Sequence, residues 1–186
     1  MRLTSHFHFC TTCGLTTRRR SGYITILYMI FSCSFFSVSS LSAQQKPKPT
    51  LDFKVLLSQN EPQIGDTIEI TFKANLEPNY HLYGIRSDCP PDDGPIRADF
   101  HFDQNDGIQL IGACEGIGDS LMLDEVFKCS TSEFSKSCEF RQKVKILGVV
   151  KDFTVHFQGQ QCSAVSGECF LVQNDLVIPV SVKSGK

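Results

Sequence analysis

Thr67-Ile-Glu-Ile-Thr-Phe-Lys-Ala74 changes polarity at every step. Ile68, Ile70, Phe72 and Ala74 fall on one phase, and Thr67, Glu69, Thr71 and Lys73 on the other. Period two sustained this long predicts a half-buried strand of an antiparallel sheet, one face dry and one wet. Before it, Asn60 to Asp66 reads as a turn, and Phe53, Val55 and Leu57 alternate in the same way. After it, strands are predicted at His81–Tyr83, Ala98–Phe102, Ile108–Ile111, Phe140–Ile146, Phe153–Phe157 and Leu176–Val182. Pro179 cannot donate to a ladder, so the last of these is placed at a sheet edge.

No long stretch has helical period. Short strands separated by Gly, Pro, Asn and Asp predict an all-β sandwich with long connecting loops. Phe53, Phe72, Phe100, Phe102, Phe140, Phe153 and Phe157 supply much of its core, in a chain with no Trp. Cys114 to Cys138 is rich in Gly, Ser and acids and is read as a long connection lying over one end.

The first 43 residues stand apart. Arg2 and Arg18-Arg19-Arg20 precede an apolar run from Gly22 to Phe36, and small residues from Ser37 to Ala43 follow. Basic, apolar, then small describes a secretory signal peptide, with cleavage expected after Ala43. The alternative is an uncleaved membrane anchor, for which the apolar run is short. Met29 is an alternative start. Cys10 and Cys13 form a CxxC inside the segment expected to be removed, and carry no weight. Residues 44–50, with Lys46-Pro-Lys-Pro49, form an extended linker, and 51–183 form the domain.

Four of the 18 basic residues lie before the cut and all 20 acids after it, which leaves the mature chain at −6. That balance argues against nucleic acid as a partner. About 140 residues suffice for one domain with a real core. Six cysteines remain after cleavage: Cys89, Cys114, Cys129, Cys138, Cys162 and Cys169. An even number in an exported chain favours disulfides over metal, and no mature pair has zinc-knuckle spacing. Cys129 and Cys138 flank a Ser-rich excursion and are expected to pair. Cys89 and Cys114 then pair by elimination, both bridges stapling the long loops.

Cys162 and Cys169 frame the short loop Cys162-Ser-Ala-Val-Ser-Gly-Glu-Cys169 between two apolar strands. As a staple this small ring stabilises by only about 2.5 kcal/mol. Small residues between the sulfurs leave room for a partner, while Glu168 disfavours a thiolate at Cys169. Spacing leaves both readings open, redox couple and structural bridge. Neither His81 nor His156 has partners at motif spacing for a triad, and both read as structural, with His156 pointing outward.

Gly65-Asp66, Tyr80-His-Leu-Tyr83, Gly94-Pro95, Asp124-Glu-Val-Phe127 and Gln158-Gly-Gln-Gln-Cys162 with Cys169 occur in that order. The chain from about Leu51 to Val182 thereby resembles the amino-terminal periplasmic domain of the thiol:disulfide interchange protein DsbD family, here as a stand-alone copy. The resemblance implies an immunoglobulin-like β-sandwich in a soluble, exported, periplasmic protein. It implies that Cys162 and Cys169 are the redox pair, with Cys169 engaging the partner. Asp124, Glu125 and Phe127 match the cap loop, with Phe127 as lid over the disulfide; an ordinary loop aromatic anchored to the core is the alternative for Phe127. Electrons would come from a membrane-embedded thiol carrier and go to periplasmic thioredoxin-like proteins, including those of cytochrome c biogenesis, with no small-molecule cofactor. Such a module is part of a protein-disulfide reductase system. The rival reading is a non-enzymatic immunoglobulin-like binding module whose disulfides are all structural.

Overall fold

The predicted alternation at 67–74 is realised in β2 (Thr67–Asn75), where Ile68, Ile70, Phe72 and Ala74 are buried. The computed structural model describes residues 48–183. The expected signal peptide, Cys10, Cys13 and Cys33, and residues 44–47 of the linker lie outside the described residues.

Nine further strands accompany β2: β1 (Lys54–Leu57), β3 (Tyr80–Ser87), β4 (Asp99–Phe102), β5 (Ile108–Gly116), β6 (Ser120–Asp124), β7 (Cys129–Phe134), β8 (Ser137–Ile146), β9 (Asp152–Ser163) and β10 (Cys169–Pro179). They form two antiparallel sheets. One runs β1-β2-β8-β5 and the other β10-β9-β3-β7-β6, with β4 also paired to β9. This is an immunoglobulin-like β-sandwich, all-β as the period-two pattern predicts. Pro179 closes β10, which is an edge strand, so its missing N–H breaks no ladder.

The core is aromatic. Phe53, Phe72, Phe100, Phe140 and Phe157 meet between the sheets with ring centroids 4.6 to 6.5 Å apart. Each fully buried ring stabilises by about 1.5–3 kcal/mol, which explains how a domain without Trp holds two sheets together.

The segment Cys114–Cys138 departs from expectation. It is no irregular connection: β5 continues to Gly116, and β6 and β7 form a hairpin that adds two strands to the second sheet. Alternation fails as a signal there. Thr131 and Ser132 are buried in β7 along with Phe134, while Leu121, Met122 and Leu123 of edge strand β6 are exposed.

β9 organises the second sheet. Along one edge it pairs with β10 over its whole length. Along the other it pairs with β4 through Val155–Gln158 and with β3 through Gln161–Ser163. Its last residues are therefore held from both sides.

Candidate functional site: a disulfide across a strand pair

Antiparallel pairing of β9 with β10 sets Cys162 directly opposite Cys169. The Ser163 N–H bonds to the Glu168 carbonyl at 2.9 Å, so the next pair inward, Cys162–Cys169, is a narrow one with Cα atoms 4.1 Å apart. The two sulfurs are bonded at 2.05 Å. What reads as an eight-residue loop is therefore two strand ends and a tight turn.

Local chemistry closes that turn. Ser163 Oγ accepts from the N–H groups of Val165 and Ser166, at 3.3 and 3.2 Å. The Gly167 N–H donates to the Ser163 carbonyl at 2.9 Å, with Gly167 at φ +70°, where a side chain is strained. The Ala164 N–H donates to the Asn79 carbonyl at 2.7 Å, tying the turn to the one before β3.

The two sulfurs are not equivalent. Cys162 is only 3% exposed, whereas Cys169 is open to solvent. On the same strand face Cys162 meets half-buried Gln160, whose Nε2 donates to Cys162 Sγ at 3.4 Å. Gln160 Oε1 accepts from the Ile96 N–H at 3.0 Å, and the Gln160 N–H donates to the Ile96 carbonyl at 3.1 Å. Sequence reasoning missed Gln160. Its signal is simple: two residues before Cys162 on a strand, it shares that cysteine's face.

On β3, His81 is the register partner of Cys162. His81 and Tyr83 share the outer face, their rings 5.2 Å apart and edge-on. Tyr83 in turn meets Phe127, centroids 6.4 Å apart, again edge-on. An aromatic row thus runs from the Asp124–Cys129 turn towards the disulfide. The structure sets Phe127 on Tyr83; it is His81 that stands across from Cys162.

Asp124 builds that turn. Its Oδ1 accepts from the N–H groups of Val126 and Phe127, at 2.7 and 2.9 Å, and its carbonyl from the Lys128 N–H at 2.8 Å. Its Oδ2 accepts from the Tyr83 hydroxyl at 2.6 Å in a buried bond. Burial opposes ionisation of Asp124, but the Tyr83 hydroxyl and the Phe127 and Val126 N–H groups prevail and hold its carboxyl below the usual range. Burial and the same bond push the Tyr83 phenol up. Burial also raises Glu133 against the pull of His81, with Asp124 adding repulsion. Glu125 instead faces solvent and pairs with Lys128 at 2.9 Å.

The other cysteines pair differently from expectation. Cys89 is bonded to Cys129, and Cys114 and Cys138 are free thiols, in place of Cys129–Cys138 and Cys89–Cys114. Register explains the correction. β3 and β7 are neighbours, with Ser87 opposite Thr131, so residues just beyond them meet. Cys138 alternates into the core from β8, and Cys114 lies on its neighbour β5, both in the sheet that does not contain β3 and β7. Burial pushes both free thiols up to about 12, which makes them poor nucleophiles. The Cys89–Cys129 bridge sits at the base of the Asp124–Cys129 turn and ties it to the loop carrying Ile96.

His156 faces outward, far along β9 from the sulfurs. Its ring nitrogens meet Asp175 at 2.7 Å and Asp103 at 3.1 Å. These partners raise its pKa, Asp175 first and Asp103 second. It clamps three strand segments and does not approach the disulfide.

No family model matches the chain, and no curated protein does. Solved structures do. The amino-terminal domain of DsbD from Neisseria meningitidis, in its reduced form, aligns at 16% identity over 68% of this chain and 84% of its own, with a TM-score of 0.42. The amino-terminal periplasmic domain of ScsB from Proteus mirabilis aligns at 13% identity over 73% of this chain, with a TM-score of 0.50. The aligned region spans about half, 49%, of that ScsB chain. A cohesin module from a Clostridium perfringens family 33 glycoside hydrolase aligns at 10% identity over 74% of this chain and 100% of its own, with a TM-score of 0.35. At these identities the likeness is one of fold.

Proposed function

We propose that residues 51–183 form a periplasmic thiol–disulfide exchange module working through Cys162 and Cys169, exported by a signal peptide at 1–43 and preceded by a linker at 44–50. The observation that carries this reading is the asymmetry of the disulfide, one sulfur exposed and the other enclosed beside a hydrogen-bond donor. Exchange requires an accessible sulfur attacked in line and a stabilised leaving thiolate. The order of motifs shared with the DsbD amino-terminal domain supports the same reading, and the ScsB neighbour is a periplasmic domain.

A thiolate of the membrane-embedded carrier attacks Cys169 Sγ. The Cys162–Cys169 bond breaks, and its electron pair stays on Cys162. The carrier's second thiolate then attacks its own sulfur in the mixed disulfide, releasing Cys169 as thiolate and leaving the carrier oxidised. In the forward relay, Cys169 attacks the disulfide of a thioredoxin-like acceptor. Cys162 then attacks Cys169 Sγ, reforming the bond and releasing the acceptor as a dithiol. The turn bearing Asp124, Glu125 and Phe127 acts as the cap, held in place through Tyr83. Cys89–Cys129 is structural.

One observation favours the non-enzymatic binding module instead. β6 is an edge strand with Leu121, Met122 and Leu123 exposed, a surface suited to docking another envelope protein.

Trapping separates the two. The probe is a thioredoxin whose second active-site cysteine is replaced by serine and whose first is held as a mixed disulfide with 2-nitro-5-thiobenzoate. A reduced Cys162→Ser variant is expected to accumulate a covalent adduct as Cys169 displaces the thiobenzoate, because neither protein then keeps a thiol beside the new bond to resolve it. Cys169→Ser is expected to give little, since Cys162 is enclosed. No adduct from Cys162→Ser, or equal adducts from both variants, would count against exchange.

A further inference from the structure

We infer that Gln160 is a positioning residue of this exchange site: it holds a hydrogen-bond donor against the sulfur that must leave. The inference rests on the exchange reading of Cys162–Cys169 and names the group that makes it workable.

The assignment comes from geometry. A glutamine carboxamide can flip, so its donor end needs an independent argument. Here the Ile96 N–H, which can only donate, points at one end of the carboxamide at 3.0 Å. That end must be oxygen, which leaves the NH2 facing Cys162 Sγ at 3.4 Å. Strand alternation fixes the rest. Gln161 turns into the core and is fully buried, so Gln160 and Cys162 are forced onto the same outer face. The backbone of Gln160 is also bonded to Ile96, so side chain and main chain grip the same residue.

The need for such a group follows from burial. When a partner thiolate attacks exposed Cys169, the Cys169–Sγ bond to Cys162 breaks and the charge moves to Cys162, which is 3% exposed. Water cannot readily solvate that sulfur, and burial alone would raise its pKa. An oriented amide N–H already in place stabilises the charge as it forms, without reorganisation. The titratable group packed against this sulfur from the neighbouring strand is His81, its register partner on β3, with Asp124 and Glu133 beyond His81; exposed Glu168 adjoins Cys169 in the chain and bonds to Ser166. None changes when Gln160 is replaced.

The test is the thiol pKa of Cys162, followed by its Cβ chemical shift in a Cys169→Ala background. Gln160→Met keeps the length and removes the donor. The Cys162 pKa is expected to rise by about one unit, because hydrogen bonds to charged groups are of that strength. At a fixed pH below the pKa this is roughly tenfold less thiolate. Ile96→Pro retains Gln160 but removes the N–H that orients it, and is expected to shift the pKa in the same direction by less. It also decides the matter if Gln160→Met does not fold. An unchanged Cys162 pKa in the folded variants overturns the role of Gln160 while leaving exchange intact. If Cys162→Ser instead forms no adduct with the thiobenzoate-activated, single-cysteine thioredoxin, the exchange reading itself falls, whatever the pKa does.

Discussion

The Tyr83 hydroxyl donates a 2.6 Å hydrogen bond to Asp124 Oδ2, joining β3 to the turn after β6. The acceptor carboxylate also organises that turn through two backbone N–H groups, so one buried contact sets where Phe127 lies. Tyr83→Phe keeps the ring and removes the donor. It should cost about 2 kcal/mol, the scale of a hydrogen bond to a charged group, measured by urea unfolding at neutral pH. The sign with pH follows from Asp124, whose folded pKa is depressed. Its stabilisation is present above the unfolded value of about 3.9 and is lost as pH falls through the folded value. The gap between wild type and Tyr83→Phe should therefore close in acid.

The two disulfides should differ in worth. Cys89 and Cys129 are 40 residues apart and Cys162 and Cys169 are 7 apart. Loop-closure entropy assigns the long ring about 4 kcal/mol and the short ring about 2.5 kcal/mol. Replacing each pair with alanine, and comparing urea midpoints, should show the larger loss at Cys89–Cys129. Equal losses would mean that the short ring is held by more than its own closure.

His156 should act as a pH-dependent clamp. Asp175 and Asp103 favour its charged form, so its pKa is raised on folding. Its contribution is fully present below the unfolded pKa of about 6.5 and is lost as pH rises through the folded value. His156→Gln should therefore be less stable than wild type near pH 6 and converge with it in alkali. A gap that widens with pH would reverse the assignment.

Gln161 is fully buried, and neither end of its carboxamide has a hydrogen-bond partner among the described residues. An unpaired buried amide costs about 1–3 kcal/mol. Gln161→Met, similar in length, should stabilise the domain by about 1 kcal/mol in urea unfolding. A loss of stability of that size would show that the amide is satisfied after all.

Much of the fold is legible in the residues themselves. Ile68, Ile70, Phe72 and Ala74 alternate because one face of β2 is dry, and the phenylalanine phases point to the core they build. The β6–β7 hairpin is not legible, because β7 buries two polar residues, Thr131 and Ser132, beside Phe134 while Leu121, Met122 and Leu123 are left on an open edge. Pattern reading assumes the reverse. Cysteine pairing fails for a different reason. Cys89 and Cys129 meet only because β3 lies beside β7, a long-range pairing that local spacing does not contain. At the site, Cys162 and Cys169 stand out because they are close in the chain. Gln160 does not, since its role depends on a backbone N–H 64 residues away.

The measurement that tests the central claim most directly is the reduction potential of Cys162–Cys169. The purified domain would be equilibrated against glutathione or dithiothreitol mixtures, and thiol labelling would assign the change to this pair and not to Cys89–Cys129. A working exchange couple predicts a value in the range of exchange proteins, roughly −120 to −270 mV. A value below roughly −300 mV, where structural disulfides of secreted proteins lie, would contradict it and leave a stapled binding domain.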